Sequence, residues 1–270
     1  MPSLPVTVDW EDANFDGLGP ANTWVAPAND YLATLQAMDT PPFSHYRCNE
    51  AVGGISYDYF GNANATYRGS FTLQQVGALA DSDDKAIAVA NGIGNDWYIN
   101  NFSLNSYRTQ AFWIYLEEDP ANPGKCVPGW VDQGSTYTRM IVNADGQFDF
   151  MAQRLYAGDQ AWVGQTSNTL GTTDSSYYLN VLEFNQCDTH DPNTWHFVVL
   201  QVWNSLYVRL YVDGVRQGVR EDWGQTINGL GQPYVVLGRE IPCRLDEISI
   251  WVPVIDADDV LSLYHSGIGA

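Results

Sequence analysis

The sequence predicts an all-β fold: two antiparallel sheets packed as a jelly-roll β-sandwich, with a short N-terminal arm and a short C-terminal helix. Three observations predict it. From Ser70 onward apolar residues recur with period 2, and turn-forming residues interrupt them about every 8–15 residues. Between residues 196 and 212 two apolar runs follow one another and close on Asp213-Gly214, a pair suited to the positive φ angles of a tight hairpin. Hydrophobic residues make up 45% and charged residues only 16%, so there is ample material for a core between two sheets, and the composition argues against disorder.

Residues 1–45 form the predicted arm: they are acidic and proline-rich and contain no Lys or Arg. They open with the short alternating run LPVTVDW and an acidic turn. Such an arm ties a module to a neighbour, or else lies as a strand along its own domain. TQAFWIYLE, residues 109–117, reads as a strand. RMIVNADGQFDFMAQ, residues 139–153, reads as two strands turning at 143–146. In HFVVLQVW both alternate sets, Phe197/Val199/Trp203 and Val198/Leu200/Val202, are apolar, which predicts a strand covered on two faces. Asn204-Ser205 is a turn signal. LYVRLYV then returns with Leu206, Val208, Leu210 and Val212 inward and Tyr207, Arg209 and Tyr211 on the other face. YVVLGRE and LDEISIW complete the strands. A helix is predicted over 256–264: Asp256 can cap it, Asp258 and Asp259 suit the positive end of its dipole, and Val260, Leu261 and Tyr264 share a face.

The formal charge of -20, from 32 acids against 12 bases, sets up a field that repels phosphate backbones and anionic lipid. Nucleic acid and membrane surfaces are therefore not expected partners. No run of about 18 apolar residues is present to form a spanning helix. The opening MPSLPVTVDWEDANFD lacks the basic and apolar regions of a secretory signal, so synthesis in the cytoplasm without export by such a signal is expected.

An ordered series of short motif positions begins at Tyr46 and continues through Glu50, Asp58, Gly61, Asn62, Tyr67, Gly69, Gly77, Leu79, Asp81, Asp83, Ala88 and Val89. A closing half follows in NTWHFVVLQVWNSLYVRLYVDGV from Asn193 and LDEISIWVPVIDADDVLSLYHSG from Leu245. Together they resemble the laminin-G-like, concanavalin A-like lectin domain of bacterial and phage proteins. The resemblance brackets residues 46–267 and implies one sandwich over 46–270 whose first and last strands are neighbours. The V-D-W opening of the arm is similar to the start of some tailed-phage tail proteins.

With no secretory signal evident, these resemblances imply a non-enzymatic virion protein of a tailed phage or virus, a minor tail or tail-tip component made in the host cytoplasm. The arm would join other virion proteins, the module would be multimeric on the particle, and the sandwich would face host-surface glycan. The competing readings are a capsid or tail decoration protein without ligand, a polysaccharide-degrading enzyme, and an extracellular lectin.

In the resembling family a structural cation joins the first strands to the last. This implies calcium held by Glu50, Asp58, the backbone of Gly61 or Asn62, and Asp246, a hard-oxygen set of the kind calcium prefers. The competing expectation is that Glu50 and Asp58 serve turn amides while Asp246 and Glu247 face solvent. Asp12, Asn14, Asp16 and Gly17 match the first half of an EF-hand loop, but Thr23 stands where a bidentate Glu is required, so an Asp/Asn turn is expected there. The four cysteines, Cys48, Cys126, Cys187 and Cys243, lack C-x-x-C spacing and permit three pairings. The side-by-side terminal strands of the resembling fold imply Cys48 with Cys243 and Cys126 with Cys187; the alternative is four small buried hydrophobes.

Retaining glycoside hydrolases of this fold resemble one another in a strand of alternating acids that face one groove about 5 Å apart. No such string occurs. Glu117-Glu118-Asp119 runs consecutively into Pro120, which sends the carboxylates to opposite faces. His45, His190, His196 and His265 lie in unrelated segments, and nucleophile-elbow and P-loop patterns are missing. Sugar binding needs exposed rings beside hydrogen-bonding groups. The candidates are Trp130, Tyr137, Tyr156, Trp162, Tyr177, Tyr178 and Trp223, all in segments rich in Asn, Gln, Asp, Ser and Thr.

Overall fold

A computed structural model describes residues 31–80, 83–92, 94–100, 108–135, 138–155, 160–163, 189–203, 207–217 and 234–269. The elements in chain order begin with helix α1 (Tyr31–Ala37) and strands β1 (Ser44–Tyr46), β2 (Ile55–Ser56), β3 (Ala65–Arg68), β4 (Phe71–Val76), β5 (Lys85–Val89) and β6 (Asp96–Asn100). Next come β7 (Arg108–Leu116), β8 (Gly129–Ser135), β9 (Thr138–Val142), β10 (Phe148–Leu155) and β11 (Gln160–Val163). The chain closes through β12 (Trp195–Trp203), β13 (Tyr207–Val212), β14 (Val215–Gln217), β15 (Tyr234–Leu237), β16 (Cys243–Trp251) and helix α2 (Ala257–Ile268).

Among the described residues the strands form two antiparallel sheets. One runs β14-β13-β12-β7-β16-β5-β4, with β1 also paired to β16; the other runs β11-β10-β9-β8-β15-β6-β3-β2. The alternation read from the sequence becomes two cores. Inward residues of both sheets, including Ile87, Phe112, Ile114, Val198, Leu210 and Leu245 from the first and Trp97, Ile99, Val131, Phe148 and Val235 from the second, fill the space between the layers. The opposite set of the first sheet, Ala111, Trp113, Phe197, Val199, Tyr211 and Trp251, packs against Tyr31 and Leu35 of α1 and Val260 and Leu263 of α2. The first sheet is thus covered on two faces, as the doubly apolar β12 requires, and β7 is buried almost throughout.

The turn at Asn143 forms because its Oδ1 accepts from the Asp145 and Gln147 amides. Asp213 and Gly214 take φ of 52° and 76°, the left-handed pair of a tight hairpin, and set Val212 opposite Val215. The Asn204-Ser205 turn lies outside the described residues.

Helix α2 starts where predicted. Asp256 accepts from the Asp259 amide and Asp258 and Asp259 occupy the first turn, but the helix continues to Ile268, and Gly269 at φ 70° ends it. Its buried face is Val260, Leu263 and Gly267, seated on Trp113, which stacks on Tyr264 at 6.0 Å. A Cβ on Gly267 would lie 2.2 Å from Trp113 Cζ2. Gly267→Ala is therefore expected to cost about 1–3 kcal/mol of overpacking, which outweighs the gain in helix propensity of about 1 kcal/mol. A lower Tm for the variant checks it.

The described end of the predicted arm lies along the sandwich, the second of the two arrangements expected for it. Residues 1–30 lie outside the described chain, but α1 packs on α2 and β1 pairs Ser44, His45 and Tyr46 with Ile250, Ser249 and Ile248. Among the described residues, β1 fills the part of the β16 edge that β5 leaves open.

Candidate functional site

β16 changes partner partway along one edge. Cys243, Arg244 and Leu245 pair with β5, then Ile248 to Ile250 pair with β1. Asp246 and Glu247 occupy the irregularity between the two ladders, and Glu247 sits at φ 45°, a conformation uncommon for a non-glycine residue. Asp84 directly precedes β5 and Arg47 directly follows β1, so two more charged side chains converge on the same gap. Arg47 donates to Glu247 Oε1 at 3.0 Å and to Asp84 Oδ1 at 3.1 Å. Asp246 accepts from the amides of Ala78 and Glu247. His45 Nδ1 lies 2.8 Å from Ser249 Oγ, and its Nε2 is 2.9 Å from Glu247 Oε2, an ionic contact off hydrogen-bond alignment. Side chains thus replace the ladder bonds that the partner change interrupts.

The Asp84, Asp246 and Glu247 carboxyls are buried, with oxygens within 4.8 Å of one another. Burial raises the Asp246 pKa well above the ordinary carboxyl value, and the charges of Glu247 and Asp84 add to it. Burial and Glu247 also raise Asp84, against the lowering effects of its hydrogen bond from Asp246 and of Arg47. Burial thus disfavours full ionisation of this carboxyl pair, and Arg47 offsets part of its negative charge. Asp246 and Glu247, expected to face solvent if they held no metal, are both fully buried.

The residues that the family resemblance assigns to calcium do not converge. Asp58 Oδ1 accepts from the amides of His45 and Phe60, and Oδ2 from those of Asn62 and Ala63. These four bonds use the lone-pair directions of the carboxylate. Glu50 accepts from the Tyr57 amide and the Tyr67 hydroxyl, and the Asn62 side-chain amide donates to the Phe43 carbonyl. Asp246 belongs to the separate cluster with Asp84 and Glu247. The donor set thus does not fit a single cation, and Glu50 and Asp58 serve their own turn.

Of the predicted sugar-contact residues, Trp130 lies on β8 and Trp162 on β11. Tyr137, Tyr156, Tyr177, Tyr178 and Trp223 lie outside the described residues, as do Asp81 and the Asp12, Asn14 and Asp16 turn. The sequence reading missed the exposed aromatics Tyr57 and Tyr59. The signal was present as ISYDY, an alternation whose inward members are Ser56 and Asp58.

Cys48, Cys126 and Cys243 are free, buried thiols, and Cys187 lies outside the described residues. The Cys48–Cys243 pairing is corrected by register. Tyr46 opposes Ile248, so continuation of that ladder would set Cys48 opposite Asp246. Three further residues, about 10 Å of strand, would separate it from Cys243, beyond disulfide reach.

His190 and His196, which the sequence places in unrelated segments, meet with ring centroids 5.0 Å apart. His196 Nδ1 contacts Asp213 Oδ2 at 2.9 Å and Nε2 contacts the Asp191 carbonyl at 3.0 Å. Both partners are acceptors, so both ring nitrogens carry hydrogen in this arrangement. Burial alone would lower the His196 pKa, but the bonds to Asp213 and Asp191 and their charges outweigh it and raise it above 6.5. A raised histidine contributes stability that is full below its unfolded value and lost as pH rises through the folded value. The contribution of His196 to wild-type Tm is expected to be full below about pH 6.5 and to be lost as pH rises above it, and His196→Gln to flatten that slope; thermal melts across pH check it.

Two antiparallel sheets enclosing one core define a jelly-roll β-sandwich. The chain is similar in structure to the binding domain of Paraclostridial Mosquitocidal Protein 1 (TM-score 0.56, 18% identity, 84% of this chain and 52% of that one). It is also similar to the receptor-binding domain of a botulinum neurotoxin C/D mosaic serotype (TM-score 0.52, 13% identity, 83% and 51%). A third is the serotype D ligand-binding domain in complex with N-acetylneuraminic acid (TM-score 0.52, 12% identity, 86% and 52%). The chain spans about half the length of each. No protein-family model matches the chain, and no curated protein matches it in sequence.

Proposed function

We propose that this chain is a non-enzymatic recognition module, a laminin-G-like sandwich that serves as a minor tail or tail-tip component of a tailed phage or virus particle and meets host-surface glycan. The observation that carries the recognition reading is the likeness, over more than four-fifths of the chain, to domains described as binding domains, one of them in complex with a sugar acid. The pairing of the first and last strands supports the laminin-G-like assignment. The virion assignment is supported by the tail-protein-like opening alone. Display in many copies would turn weak single-site contacts into firm attachment.

A glycan array is expected to retain the protein on host cell-wall or capsular sugars; silence across it would overturn glycan recognition. Mass spectrometry of purified particles from the producing strain is expected to find its peptides, and their confinement to the particle-free lysate would overturn the virion assignment. Release of reducing sugar from a bound polymer would show an enzyme instead.

A further inference from the structure

Resting on the glycan-recognition reading, we propose that the contact surface is the outward row Ile55, Tyr57 and Tyr59, flanked by Val52 and Phe43, and that its ligand is an uncharged oligosaccharide. These five are among the eight exposed large hydrophobic residues of the described chain, and they fall within residues 43–59. Single exposed apolar residues are ordinary, whereas a group of them marks an interaction surface. Tyr57 is 60% exposed, Tyr59 50% and Val52 82%.

The row is held rigidly from beneath. Inward-facing Asp58 ties its loop to the amides of His45, Phe60, Asn62 and Ala63. The Tyr57 amide donates to Glu50 and the Tyr59 amide to the His45 carbonyl. The Tyr59 ring meets His45 edge-on at 6.4 Å and Phe60 at 5.7 Å, and its hydroxyl accepts from Gln36 at 3.4 Å. Rings fixed before binding lose little freedom when a ligand arrives. Tyr57 follows β2 directly and Tyr59 stands in the turn that Gly61 N closes on the Asp58 carbonyl, so one anchored loop presents both rings.

The chemistry of the surroundings selects the ligand. Pyranose C–H faces stack on rings while their hydroxyls take amide partners, and the exposed Asn49, Asn62 and Asn64 lie in the same stretch of chain. The nearby guanidinium groups are committed, Arg47 to Asp84 and Glu247, and Arg68 to Asp96. Among the described residues of this stretch no uncommitted guanidinium is left to favour an anionic sugar, and the net charge of -20 opposes both an anionic ligand and a second copy of the chain.

The test is an array of uncharged, sialylated and uronic-acid oligosaccharides, followed by calorimetric titration of the best-retained uncharged probe. Tyr57→Ala and Tyr59→Ala are each expected to weaken binding about tenfold or more, and the double variant to abolish it. Val215→Ser, at an exposed apolar position on β14, is expected to bind as wild type. Melting curves should stay unchanged for Tyr57→Ala and Val215→Ser, whereas Tyr59→Ala, which also loses ring contacts with His45 and Phe60, should lower Tm modestly and is read beside its melt. Unchanged binding by the double variant would overturn this site and leave glycan recognition standing. A wild type retained only on anionic probes would overturn the ligand class, and one retained on none would overturn the recognition reading and this site with it. A wild-type dimer that the double variant dissolves would make the row a self-interface and also overturn the proposal.

Discussion

Asp58→Ala is expected to lower the unfolding free energy by about 3–5 kcal/mol in chemical denaturation. The carboxylate is the acceptor for four backbone amides, and Asp58 is 8% exposed. An orphaned buried donor costs about 1–3 kcal/mol, and water at the loop surface recovers part of the total. Asp58→Asn should not rescue fully, because its amide nitrogen would face two N–H donors whichever way the side chain is turned. A loss below about 1 kcal/mol for alanine would mean that water replaces the carboxylate. Since the same loop carries Tyr57 and Tyr59, both variants should also loosen the proposed glycan surface.

Arg47→Met is expected to cost about 2–4 kcal/mol near neutral pH and less toward pH 5. The guanidinium bridges Asp84 and Glu247, each with a side chain 1% exposed, and removing one partner of a buried ion pair costs about 3–5 kcal/mol. Its own side chain is 33% exposed, so that figure is discounted for solvent screening. The pH dependence follows from Asp84 and Asp246, whose pKa values are raised above 3.8 in the folded protein. A raised carboxyl makes the native state bind the proton more tightly, so ionisation weakens the fold as pH rises and protonation restores it as pH falls. Without Arg47 that restoration matters more. Denaturation of wild type and variant at several pH values checks it, and a gap that widens on acidification would contradict the raised carboxyl pKa values. The double variant Arg47→Met/Asp84→Asn should recover part of the loss by removing a stranded charge.

The strand cadence was legible because burial enforces alternation. HFVVLQVW announced a strand covered on both faces, and the Asp256 cap announced α2. What failed did so where alternation breaks. Asp246 and Glu247 are consecutive, which on a regular strand places them on opposite faces. The irregularity at that point instead buries both beside Asp84, and no local residue preference marks it. α1 escaped notice because YLATLQA is brief and sits in a segment whose prolines and acids resemble a tail. Tyr57 and Tyr59 were passed over because Asp58 between them drew the reading toward a metal loop, while their outward direction depends on that aspartate pointing in. The cysteine pairing failed on register, which adjacency of strands does not specify.

β16 lies inside its sheet, between β7 on one side and β5 with β1 on the other, and joins residues such as Arg47 and Glu247 that are 200 positions apart. Assembly must therefore wait until residues 243–251 have been made. Until Cys243–Trp251 arrives, β7 presents an open hydrogen-bonding edge and an apolar surface to other nascent copies. Folding dominated by such distant pairings is slow, on the order of milliseconds to seconds. Rapid synthesis would thus favour aggregates over product, and cooler, slower expression should raise the soluble yield.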